Sequence, residues 1–335
     1  MAPGAAPALW VTVALGSLAA AGGNFAFPNF LAPDGLSLQG VANRTQSWLR
    51  LTPSVPNLVG SAWHRTKQAV VGGFTTDFTF RIILDRDQAI PGPCKWVDHT
   101  PSSCARRGGD GLAFVVQNYG AQSLGGGGGY LGYGGIPNGV AVELDTWFDA
   151  ALRDPYENHV AVLTRGRGEL RAEHGTHLGA SLDVPDLADG ERHTVRVEYD
   201  PTFRPEVAAH PSFQSAPHLL KLVYPTGVGF RHGLGTLRIY VDDMSGPALT
   251  VPMNFASFLE LDGGTAWVGF TASTGESFQN HEVLSWAFYE HASEASAIGA
   301  AAGTHLTPEQ DATPNQGERW SDPTFGRVQE LGRPV

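Results

Sequence analysis

Positive charge is scarce in this chain. Its 335 residues carry 22 Lys and Arg against 33 Asp and Glu, a formal net charge of -11 at pH 7. Phosphate binding needs clustered cations, so nucleic acid is excluded as a partner. Apolar runs long enough to span a bilayer are missing throughout. The run from Pro7 to Ala21 is too short for a span and ends in the small residues Ala19-Ala20-Ala21. Residues 1–21 therefore read as a secretory signal peptide, although no Lys or Arg precedes the run, and a secreted, extracellular protein is expected. Cysteine is nearly absent. Only Cys94 and Cys104 occur, ten apart in a loop, and in an exported chain a local disulfide is expected, the alternative being two free thiols. A glycosylation sequon, Asn43-Arg44-Thr45, matters only in a eukaryotic secretory pathway.

Long helical periods are also lacking, and so is any internal repeat. Gly 42 and Pro 23 point instead to many short strands joined by turns. The clearest strand runs from Phe74 to Ile82, where Phe74, Thr76, Phe78, Phe80 and Ile82 alternate with Thr75, Asp77, Thr79 and Arg81. Leu112 to Val116 is almost continuously apolar and should be buried on both faces. Further strands are expected at 24–30 (an edge, given Pro28), 36–40, 48–51, 160–164, 194–199, 237–241, 266–272 and 283–289, about a dozen in all. Trp286 and Phe288 share one face of the last and should be core. Residues 119–139 hold Gly125 to Gly129 in a row. Between two core strands they read as a functional loop rather than a linker. The stretch 201–236 looks like an insertion without an assignable role, and 292–335 lacks an apolar face, reading as a disordered tail or linker.

Acidic residues cluster at one place. Val140, Val142 and Leu144 alternate with Ala141, Glu143 and Asp145, which puts Glu143, Asp145 and Trp147 on the face opposite the apolar residues. Neighbouring carboxylates repel and cost desolvation unless a cation neutralises them. Asp154-Pro155 then turns the chain and can return Asp154 and His159 to the same place. Carboxylate and carbonyl oxygens suit Ca²⁺, while an imidazole among carboxylates suits a transition ion such as Mn²⁺. A solvated acidic strand edge is the other reading of this run alone.

The offsets of two, four, six, eleven and sixteen from Glu143, reaching Asp145, Trp147, Asp149, Asp154 and His159, resemble the metal-binding signature of the legume-type (L-type) lectins. So do Gly109-Asp110-Gly111-Leu112-Ala113-Phe114, Gly128-Gly129-Tyr130-Leu131-Gly132, and Val268 to Gly275 with His281 to Trp286. The resemblance covers roughly residues 24–290, within a domain of 22–291, and is closest to the non-plant, bacterial-style members. It implies an all-β, concanavalin A-like jelly-roll sandwich of antiparallel sheets that binds glycans or glycoproteins without cleaving them. It further implies a transition-metal site on Glu143, Asp145, Asp154 and His159, and a calcium site on Asp145, the Trp147 carbonyl, Asp149 and Asp154. Asp110, after a cis Gly109–Asp110 peptide, would accept sugar hydroxyls, Gly129 would donate its N–H, and Trp147 would face the pyranose ring. Glu276 and Ser277 would tune specificity. Asp149 stands where plant members carry Asn, so it has no N–H for a sugar. Weak single sites make multivalent, homo-oligomeric use natural. Two other classes stay open: a glycoside hydrolase of related sandwich fold, and an adhesive domain that has lost sugar binding. His193, His210 and His232 are expected to be surface residues.

Overall fold

The computed structural model describes residues 23–31, 35–84, 108–202 and 235–291. The expected signal peptide, the expected pairing of Cys94 with Cys104, nearly all of the stretch 201–236 with His210 and His232, and residues 292–335 lie outside these residues. Within them, no helix is long and apolar enough to cross a membrane.

Among the described residues, sixteen strands form two antiparallel sheets. In chain order they are β1 (Phe25–Phe27), β2 (Leu36–Gly40), β3 (Asn43–Thr45), β4 (Trp48–Thr52), β5 (Val59–His64), β6 (Gln68–Ala69), β7 (Phe74–Ile83) and β8 (Gly111–Gln117). There follow β9 (Gly139–Asp145), β10 (His159–Thr164), β11 (His177–Ser181), β12 (His193–Asp200), β13 (Gly235–Val241), β14 (Leu249–Met253), β15 (Thr265–Ser273) and β16 (Asn280–Glu290). The first sheet runs β14-β13-β12-β7-β16-β4-β3, with β1 added to β16; the second runs β11-β10-β9-β8-β15-β5-β2, with β6 on β15. This is the concanavalin A-like jelly-roll sandwich that the strand pattern and the resemblance led us to expect.

Alternation decides what fills the space between the sheets. In β7 every second residue from Phe74 is buried, and these side chains meet Leu112, Phe114, Val142 and Phe270 of the facing sheet. Phe270 packs edge-on against both Phe78 and Trp286, at centroid distances of 4.9 and 4.8 Å. Such pairs add about 0.5–1.5 kcal/mol each beyond their buried area. Trp286 donates its indole N–H to Thr76 Oγ1 at 2.9 Å, so its one polar atom is satisfied inside the core.

The second sheet is buried on its outer face too. β8, β9 and β10 have no exposed residue. Ala113, Val115 and Ala141 point outward into a second apolar cluster made with Leu131, Tyr133, Leu170 and Ala172. The glycine-rich stretch is thus a third layer on the sheet: Thr271 Oγ1 donates to the Leu131 carbonyl at 2.7 Å, and Ser273 Oγ to that of Gly128 at 2.5 Å. Polar residues that alternation sends outward from β9 and β10 therefore end up under a lid of loops, away from bulk water.

Several expectations need correction. β3, β5, β6, β11 and β14 are additional strands. β5 escapes the alternation test because small residues replace apolar ones: a Cβ on Gly60 would lie 2.0 Å from the Leu51 carbonyl oxygen, so the chain can pass only as glycine. His193 is buried rather than superficial, held between Asp242 at 2.8 Å and Asp189 at 3.1 Å. Burial works against its charge, but these two carboxylates outweigh it and raise its pKa. On the outer face of the first sheet Glu282 is fully buried between Arg50, at 2.6 Å, and Arg81, at 2.5 Å.

Candidate metal and ligand site

Glu143 and Asp145 leave β9 on its outer face, as the alternation of Val140, Val142 and Leu144 requires. Register then adds their neighbours. Asp145 lies across from His159 of β10 on one side and Gly111 of β8 on the other. β9 stops at Asp145, so Trp147 does not continue its face as the period of two implied. Its backbone N–H turns back to Asp145 Oδ1 at 2.8 Å, and its side chain is half-buried in the following loop. That loop closes on itself: Asp149 donates its N–H to Asp154 Oδ2 at 2.6 Å, and Ala151 its N–H to Asp149 Oδ1 at 2.8 Å. Asp154 and His159 are thereby returned to Asp145, with one donor atom from each within 4.8 Å of the others.

Two residues that the sequence reading passed over complete the cluster. Tyr133, from the glycine-rich layer, donates its hydroxyl to Glu143 Oε2 at 2.5 Å. His174 brings its Nε2 to 3.1 Å from Glu143 Oε1, 2.9 Å from His159 Nε2 and 3.8 Å from Asp154 Oδ1. A signal for His174 existed. Leu170, Ala172 and His174 are buried while Arg171 is exposed and Glu173 half-exposed, a period of two that lays this segment along the sheet.

Charge is crowded here. Burial raises the Asp145 carboxyl far above its usual range, and the charges of Glu143 and Asp154 raise it further. Burial, with Glu143 adding to it, pushes Asp154 up to about 6. Burial acts on Glu143 in the same sense, yet the His159 and His174 imidazoles and the Tyr133 hydroxyl together hold it low. Glu143 Oε1 is buried without a properly directed hydrogen-bond donor. Nδ1 of His159 is engaged with the Tyr156 carbonyl at 2.8 Å, which fixes the ring with Nε2 toward Glu143 and His174. An orphaned carboxylate oxygen, imidazole nitrogens and two further acids suit a transition ion. The oxygens of Asp145, Asp149 and Asp154 suit calcium.

Beside the cluster four loops converge. The Gly109–Asp110 peptide is cis. Asp110 is fixed by its backbone, with its N–H on the Ser273 carbonyl and its own carbonyl accepting from Thr146, both at 3.0 Å. Its Oδ2 is buried, and none of the described residues donates to it. Burial, then the charges of Asp149 and Asp154, raise this carboxyl to about 7. Gly275 lies against the Asp110 carboxylate, since a Cβ there would stand 3.1 Å from Oδ2. Gly109 is flanked by Ser277 and Trp147, whose Cβ atoms would be 3.5 and 3.6 Å from a Cβ placed on it. Gly129 abuts Asp149, at 3.2 Å by the same construction. The fold thus gathers Asp110, Gly129, Trp147, Asp149 and Ser277 around one place. Glu276 is exposed on the same loop, and no contact ties it to Asp110.

Comparisons with known proteins agree with this fold. The profile of the Legume lectin domain family matches residues 23–302. Favin of Vicia faba is 27% identical over 284 residues, spanning 79% of this chain and 94% of favin. Among solved structures, a lectin from Bauhinia forficata in complex with GalNAc superposes with a TM-score of 0.52 at 19% identity, over 79% of this chain and 96% of that one. The Ca²⁺/Man-bound exoplasmic/lumenal domain of VIP36 does so with a TM-score of 0.51 at 14% identity, over 78% and 84%. These matches come from legumes and VIP36, and so lend no support to the expected likeness to bacterial-style members. With two thirds of the chain and more inside the family profile, the protein belongs to the legume lectin domain family.

Proposed function

We propose that this protein is an exported lectin that binds a sugar reversibly at Asp110, beside a two-ion centre of calcium and a transition metal. The observation that carries the reading is the convergence of Asp110, Gly129, Trp147, Asp149 and Ser277 next to buried acids and imidazoles. Glu143, Asp145, Asp154 and His159 would hold the transition ion, Mn²⁺ or another of its class. Asp145, Asp149, Asp154 and the Trp147 carbonyl would hold calcium. Bound ions would supply charge and rigidity and no bond-breaking chemistry. Asp110 has no metal duty in this scheme, and its Oδ2 accepts from no donor among the described residues, so it is available to sugar hydroxyls. Glu276, exposed at the rim, would act on specificity. GalNAc and mannose, the ligands of the two lectin structures above, are the first sugars to try.

Asp110→Ala is expected to abolish glycan binding while metal content and melting temperature stay close to wild type. A charge-assisted hydrogen bond is worth about 1.5–3 kcal/mol, and losing more than one erases a weak site. Asp145→Ala should lose ions, stability and binding together. A glycan array probed with wild type, both variants and chelated protein tests this. Released sugar products would replace the reading by hydrolysis, and an array silent for metal-loaded wild type by a purely adhesive role.

A further inference from the structure

The transition-metal reading above rests on residues strung along one stretch of chain. His174 comes from elsewhere, and its geometry asks for more than a bystander's role. Its Nε2, His159 Nε2 and Glu143 Oε1 form a triangle with edges of 2.9, 3.1 and 3.4 Å. Donors about 2.1 Å from one ion and mutually cis are separated by about 3.0 Å. An ion about 1 Å off the plane of this triangle would reach all three donors at about 2.1 Å, given those edges. Hydrogen bonding accounts for the His159–His174 edge alone, because Glu143 Oε1 is left without a directed donor.

The backbone holds the third corner in place. His174 donates its N–H to the Leu152 carbonyl at 2.8 Å, which ties its segment to the loop that carries Asp149 and Asp154. Leu170 and Ala172 anchor the same segment in the outer apolar cluster. The ring is buried, so its nitrogen is presented without the entropy loss of recruiting a mobile surface side chain.

We infer that His174 is a direct protein ligand of the transition ion, so that the site carries two imidazoles and prefers ions of the zinc class to manganese. Imidazole suits zinc, nickel and copper, whereas manganese favours carboxylate and water. Divalent affinities rise from manganese through cobalt and nickel in any case. A second imidazole in place of a water steepens that order. It also gives the ion one more bond to the segment 170–174, joining the outer layer to the sheet through the metal.

The test uses full-length protein stripped by chelator, with calcium kept saturating. Zn²⁺ and Mn²⁺ are titrated by calorimetry and Co²⁺ by visible absorption, for wild type, His174→Ala and His174→Gln. Both variants are expected to lose at least roughly 100-fold in Zn²⁺ affinity, at or beyond the top of the 10–100-fold range typical of residues that only support a ligand. Mn²⁺ affinity should fall less, the Co²⁺ spectrum should change, and calcium binding should stay as in wild type. Unchanged Zn²⁺ affinity and an unchanged Co²⁺ spectrum in the variants would overturn the assignment. Should neither variant fold, ¹⁵N-histidine spectra of wild type decide it: Zn²⁺ should move two Nε2 signals, and movement of one alone refutes it. Wild type that binds none of the three ions would instead bring down the metal-centre reading itself, and His174 with it.

Discussion

Removing the metals should make this protein less stable as the pH rises from 5 to 8. In the metal-free state Asp110 is pushed up to about 7 by burial and by the charges of Asp149 and Asp154, Asp154 is pushed to about 6, and Asp145 is raised well above its usual range. Each folded pKa lies above its unfolded value near 4. The contribution of each is therefore complete below about pH 4 and is lost as pH rises through the folded value. At about 1.4 kcal/mol per pH unit, Asp110 alone contributes a loss of at most about 4 kcal/mol by pH 8. A domain of this size shifts by roughly 2 °C per kcal/mol, so the fall in melting temperature from Asp110 reaches at most roughly 8 °C. His281 acts in the opposite sense. Burial lowers its pKa to about 3, so its contribution is present above pH 6.5 and is lost as pH falls toward 3. It lies in β16, outside the cluster, and affects loaded and stripped protein equally. The assay is thus the gap in melting temperature between loaded and chelated protein at pH 5, 6, 7 and 8. The gap should widen steadily with pH. A constant or shrinking gap would refute the charge-crowding account.

Two substitutions probe the surroundings of the ions. Tyr133→Phe removes the hydroxyl that donates to Glu143 Oε2, and transition-ion affinity should fall about 10–100-fold while the fold persists; calorimetry giving the wild-type affinity would show that this hydrogen bond does not orient the carboxylate. Asp149→Asn should weaken calcium binding, yet at saturating calcium it should tighten sugar binding by about 0.5–1.5 kcal/mol through the added N–H donor. Monosaccharide titration that finds weaker binding under those conditions would show that Asp149 does not face the sugar.

Strand alternation made the centre of the fold legible. Phe74 to Ile82 and Val140 to Asp145 each declare which residues face the core, and the outward set of the second holds Glu143 and Asp145. What alternation misses has a physical reason in each case. β5 carries Gly60 because the Leu51 carbonyl passes too close for a side chain, and with the small Ser61 and Ala62 beside it no apolar rhythm remains. β14 does alternate through Leu249, Val251 and Met253, but Pro252 disguises it; as the edge strand of its sheet it can tolerate a residue without an N–H. Tyr133 sits among glycines, where composition suggests a loop and hides the layer that covers the sheet. His174 reaches the cluster because its segment crosses the outer face of the second sheet. Sequence distance from His159 carries no information about that crossing.

The number of acids in the cluster has an electrostatic consequence for Asp110. On the proposed reading, two divalent ions balance Glu143, Asp145, Asp149 and Asp154, and Asp110 remains the one carboxylate without a cation of its own. Asn at position 149 would leave the ions with a net positive charge, which favours the ionised form of Asp110. Asp149 removes that surplus, and its charge is the largest cause after burial of the raised Asp110 pKa. Asp149 thus strengthens the grip on calcium and at the same time makes Asp110 harder to ionise. A protonated Asp110 offers one O–H donor and fewer acceptor positions than the carboxylate, so the sugar hydroxyls it can satisfy change with it. Calcium and sugar affinity are therefore set against each other at this one side chain, which is why Asp149→Asn separates them only when calcium is saturating.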